Sequence, residues 1–174
     1  MSSIYISRFI RLLILLFFQV LVFNHIHLLG YITPLVMGYM VVCFQHNSSR
    51  ISVLIWGFIT GMLFDIFSNT AGMASASYTL VAMVQPLILN LFSPRDAAEN
   101  YKPSCFTLGF WRYTLYTFLL MLILHGAFYL LDAFTLSDWI LTFISILGGS
   151  VLTTIIIIFI ELLVHSKRKD KYHA

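Results

Sequence analysis

Apolar residues run through the chain in six stretches, and the segments between them are short and rich in polar or turn-forming residues. Each stretch reads as a membrane-spanning helix, because a run this apolar is stable only in lipid or deep inside a core. The predicted spans cover 9–23, 28–44, 51–69, 73–92, 110–131 and 139–164, in one transmembrane domain. A basic tail, 165–174, follows. The second span carries Gly30, Thr33-Pro34 and Gly38, so it is expected to unwind near Pro34, whose missing N–H frees a carbonyl. The fourth begins with Ala74, Ser75, Ala76 and Ser77, which permit close helix contact, and is expected to bend at Gln85-Pro86.

Composition agrees. Of 174 residues, 60% are hydrophobic and only 10% charged, with mean hydropathy +0.92, which places the chain among integral membrane proteins and leaves no length for a soluble catalytic domain. The net charge of +3 then reports topology rather than an acidic ligand, and nucleic acid is not an expected partner. All 10 Lys and Arg fall at the N-terminus (Arg8, Arg11), at Arg50, between Arg95 and Arg112, and in the tail. With six spans these regions share one side. The expected topology therefore has both termini cytoplasmic, with Arg95, Lys167, Arg168, Lys169 and Lys171 meeting anionic lipid or a cytoplasmic partner. Cys43 and Cys105 fall on that reducing side, so no disulfide is expected. Glu161 is expected to reach toward the tail, and the long loop 93–107 to be ordered only by docking on the membrane surface.

The most informative polar residue is Asp65. Gly57, Gly61 and Asp65 stand at i, i+4 and i+8, so they share one helix face, and a carboxylate at this depth needs a partner, a proton or a wet cavity. Counting along ideal helices puts Asp65 about 21 Å and His125 about 24 Å from the basic side. An Asp65–His125 pair lined by Ser75 and Ser77 is therefore one expectation, as a pocket, a docking point for another protein's helix, or interhelical glue. Ser68 and Gly72 complete the candidate set. His25 and His27 flank a turn without further ligands in sequence, so neither a metal nor a cofactor is expected. No hydrolase motif, His-Glu-x-x-His or P-loop occurs, so no catalytic residue is assigned and an enzyme is the least favoured class.

The pattern Gly57-x3-Gly61-x3-Asp65, with Phe67-Ser68-Asn69-Thr70, Gly72-Met73 and Tyr78-Thr79-Leu80, resembles the rod shape-determining protein MreD family, and Pro94-Arg95-Asp96 resembles one branch of it. That branch is expected to carry a basic residue before Pro86, where this chain has Gln85. The resemblance implies a non-enzymatic scaffold subunit of the bacterial cell-wall elongation (rod) complex in the inner membrane. It would bind MreC directly and, through the complex, MreB, RodA and a class B penicillin-binding transpeptidase. It also implies a six-helix bundle similar to the substrate-binding subunits of energy-coupling-factor transporters. The alternative is therefore a small-molecule-binding subunit of a vitamin-type transporter, with an outer-leaflet cavity around Asp65 and His125.

Overall fold

The structure is a computed structural model that describes residues 2–22, 33–70, 72–93, 101–132 and 139–170, with the side chains of 2–5 and 165–170 left out. The described residues are all-helical. They form α1 (Ser2–Leu21), the single turn α2 (Tyr39–Val42), α3 (Arg50–Ser68), α4 (Met73–Phe92), α5 (Phe110–Asp132) and α6 (Trp139–Asp170). Four helices are long and apolar enough to cross a membrane, namely α3, α4, α5 and the part Trp139–Val164 of α6, which suggests a membrane protein.

The long helices pack in chain order, α3 on α4, α4 on α5 and α5 on α6. α1 lies beside α3. Its Arg8 donates to Ser52 Oγ at 3.3 Å, so α1 and α3 start at the same end of the bundle, close to Phe44, whose ring centre is 4.8 Å from the Arg8 guanidinium. That end also holds Arg50 in the first turn of α3 and Arg112 in the first turn of α5. Exposed residues such as Phe17, Ile66, Leu91 and Phe159 cover the outside with apolar side chains, as a lipid-facing surface requires.

The second predicted span differs from expectation. Within its described part, residues 33–35 are not helical, Val36–Gly38 form a 3-10 turn, and only Tyr39–Val42 complete an α-helical turn. Pro34 and Gly38 explain this, since neither favours a continuous helix and Pro34 supplies no N–H. Residues 34–42 are nonetheless all buried, and Met37, Val41 and Val42 are fully enclosed between α1 and the other helices. An irregular strand of backbone thus forms the axis of the bundle. The start of that span, 28–32, lies outside the described residues.

Three other boundaries shift. α1 begins at Ser2 rather than at 9, which brings Arg8 inside the helix along with Arg11. α6 continues to Asp170, so most of the backbone assigned to the tail is helical. Loop residues 101–109 pack on protein rather than waiting for a membrane: the His46 N–H donates to the Tyr101 carbonyl at 3.2 Å, and the two rings stack 5.4 Å apart. Pro94, Arg95 and Asp96 lie outside the described residues.

Candidate functional site

The Gly57, Gly61 and Asp65 face of α3 is turned onto α4. A Cβ added at Gly57 would stand 2.6 Å from the Ala82 Cβ, and one at Gly61 would stand 2.5 Å from the Ser75 Cα and 2.7 Å from the Ala74 carbonyl oxygen. The two glycines therefore let α4 approach at backbone distance. The groove along the glycine face is filled by this chain's own α4, which leaves no room there for a helix of another protein.

Asp65 finishes the same contact. α3 ends with Asn69 in the left-handed region at φ 54°, and the Asn69 N–H donates to the Asp65 carbonyl. Gly72, at φ +83°, precedes α4 and has no side chain with which to cap it. The Asp65 carboxylate takes that role from the neighbouring helix. It accepts from the Thr70 hydroxyl at 2.7 Å, the Ala74 N–H at 3.0 Å, the Ser75 N–H at 2.8 Å and the Ser75 hydroxyl. Two otherwise unpaired donors of the first α4 turn are thereby satisfied, and a negative charge sits at the positive end of the α4 dipole. Ser75 and Gly72 belong to this joint. Ser77 does not, since its hydroxyl turns back to the Met73 carbonyl at 2.7 Å. Ser68 is the last residue of α3, partly buried beneath the turn.

His125 belongs elsewhere, which corrects the expected Asp65–His125 pair. Its Nδ1 lies 2.9 Å from the Met121 carbonyl oxygen, which can only accept, so Nδ1 carries the ring proton. Its Nε2 faces the Thr153 hydroxyl at 3.3 Å, and the ring lies against Gly149, where a Cβ would come within 2.4 Å of Cδ2. Asp65 and His125 have wholly separate partners. The pocket expected between them is not formed by their side chains.

What His125 supports is the irregular axis. Thr153 accepts from the Leu35 N–H at 3.2 Å, and the Tyr129 hydroxyl accepts from the Thr33 N–H at 3.1 Å. On the opposite side Gln19, fully buried in α1, donates to the Pro34 carbonyl at 2.9 Å and accepts from the Val36 N–H at 2.8 Å. Each of these backbone groups lacks a helical partner, and each would be costly to bury unmet. Sequence reasoning missed Gln19, Tyr129 and Thr153. A lone amide in the apolar second half of α1 was the available signal, since an uncharged polar group in such a stretch usually bonds to a neighbouring segment.

Gln85, where a basic residue was expected, is also buried; its amide donates to the Tyr116 hydroxyl at 2.9 Å, and Tyr116 donates to the Val42 carbonyl at 3.1 Å. A neutral donor suffices there because its acceptors are the Tyr116 phenol and the Phe44 carbonyl. Glu161 does not reach out of the bundle: it is buried and accepts from the Tyr39 hydroxyl. Cys43 and Cys105 are free. Arg95 and Lys171 lie outside the described residues, as do His25 and His27, and the side chains of Lys167, Arg168 and Lys169 are among those left out. Among the described residues no cluster of three or more His, Cys, Asp or Glu could hold a metal ion. Comparison with protein-family models, curated proteins and solved structures returns no match.

Proposed function

We propose that this protein is a non-enzymatic scaffold subunit of a bacterial cell-wall elongation complex, embedded in the inner membrane with both termini in the cytoplasm and binding an MreC-type partner. The observation that carries this reading is that the residues resembling the MreD family are those that build one rigid joint. Gly57 and Gly61 bring α3 and α4 together, and Asp65, Thr70, Gly72 and Ser75 lock the turn between them. A scaffold needs such a fixed tip, because a partner that docks on a preformed surface loses less conformational entropy. The glycine face is occupied, so the partner contacts the outward residues beside the tip, Ile66, Phe67 and Asn69, which are exposed. Through MreC the subunit joins MreB, RodA and a class B penicillin-binding transpeptidase, while its basic end rests on anionic lipid.

Photocrosslinking from Phe67 in native membranes tests this. Capture of a polypeptide with one membrane helix and an extracytoplasmic domain is the expected result. Failure to capture any polypeptide from Phe67 or Asn69, with the protein correctly inserted, contradicts it. The irregular axis at 33–38 favours a second reading, a small-molecule-binding transport subunit, since broken helices near the centre of a bundle often hold ligands. A metabolite retained in native mass spectrometry in place of a partner polypeptide would select that reading.

A further inference from the structure

At the basic end of the bundle a second polar cluster lies between α2, α5 and α6. Glu161 of α6 accepts from Tyr39 of α2, and the Arg11 guanidinium of α1 stands 5.8 Å from the centre of the Tyr39 ring. Tyr113, in the first turn of α5, is 0% exposed, and its hydroxyl has no hydrogen-bond partner among the described residues. Its phenol is within electrostatic reach of Cys43, Glu161, Tyr39 and Cys105. The Thr117 hydroxyl, one helical turn deeper on the same side of α5, is equally buried and equally without a partner. The nearby phenol Tyr116 is just as buried but fully satisfied, accepting from Gln85 and donating to the Val42 carbonyl.

Two orphan hydroxyls on one face of one helix, the outer of them within electrostatic reach of a carboxylate, call for a ligand that both donates and accepts. A metal ion is a poor fit. Among the described residues no three His, Cys, Asp or Glu are placed to hold one, and Arg11 already places positive charge beside the cluster. We propose that this cluster is a site for buried water, which bridges the Tyr113 hydroxyl to the Glu161 carboxylate and continues one helical turn deeper to Thr117. Water meets every open valence without adding charge.

Radiolytic hydroxyl-radical footprinting of the full chain in lipid nanodiscs tests the site, because radicals generated from bound water modify side chains that bulk solvent does not reach. Tyr116 is the internal control. Tyr113 is expected to be modified at least about fivefold faster than Tyr116, and Tyr113→Phe is expected to leave the Tm unchanged or lower it, since the bridging water loses a partner. A Tyr113 rate less than about fivefold above that of Tyr116 overturns the proposal. So does a rise in Tm for Tyr113→Phe, which is what removing a dry, unsatisfied hydroxyl produces.

Discussion

Asp65 shows how a carboxylate near the end of an apolar helix is accommodated without a second ionisable group. Two backbone N–H groups and two hydroxyls, all within ten residues, meet its oxygens. The sequence made this residue conspicuous but not its partner. An i, i+4, i+8 pattern identifies a face, whereas the donors lie across a turn whose path depends on Asn69 and Gly72 both adopting positive φ. His125 illustrates the opposite limit: equal depth along ideal helices placed it near Asp65, but depth says nothing about azimuth, and its face of α5 meets α6. At Cys105, outside the spans, burial pushes the thiol from about 9 up to about 11. Raising the pKa removes thiolate, the reactive species, so at pH 8 alkylation of Cys105 in the folded protein is expected to run about a hundredfold slower than in the unfolded chain. Peptide-resolved mass spectrometry after an iodoacetamide time course measures the ratio.

Among the elements, α3 to α6 were legible because their apolar runs are long and uninterrupted, so a helix is the only way to satisfy the backbone. The stretch 33–44 was less so. Its apolar residues and its burial fit a span, yet its backbone is satisfied by side chains of Gln19 in the preceding helix and of Tyr129 and Thr153 in helices far away in sequence. Unwinding at Pro34 was readable from local chemistry; the identity of the rescuing side chains was not. The α3–α4 contact gives a sharp contrast between glycines. At Gly61 a methyl group meets backbone, which cannot rotate away, whereas at Gly126 nothing lies within 4 Å. Gly61→Ala is therefore expected to destabilise by about 1–3 kcal/mol through forced separation of α3 and α4. Gly126→Ala is expected to be neutral or to stabilise by up to about 1 kcal/mol through helix propensity. Thermal unfolding of the two variants in one detergent compares them directly, and equal losses would contradict the packing at Gly61.

For the molecule as a whole, the alignment of α1 with α3 and the positions of Arg50 and Arg112 gather positive charge at one end, while the α3–α4 tip lies at the other. The apolar exterior was plain from composition. The irregular axis was not, because hydropathy treats a buried loop and a buried helix alike. The proposed scaffold rests on a tip that this chain holds rigid by itself, with the Asp65 charge engaged inside the α3–α4 joint rather than reserved for a distant histidine or a partner. A double-mutant cycle measures that most directly. Coupling between Asp65→Ala and Thr70→Val is expected at about 0.5–1.5 kcal/mol, and coupling between Asp65→Ala and His125→Leu within about 0.5 kcal/mol of zero. The reverse order, with Thr70 uncoupled from Asp65 and His125 coupled to it, would contradict the account.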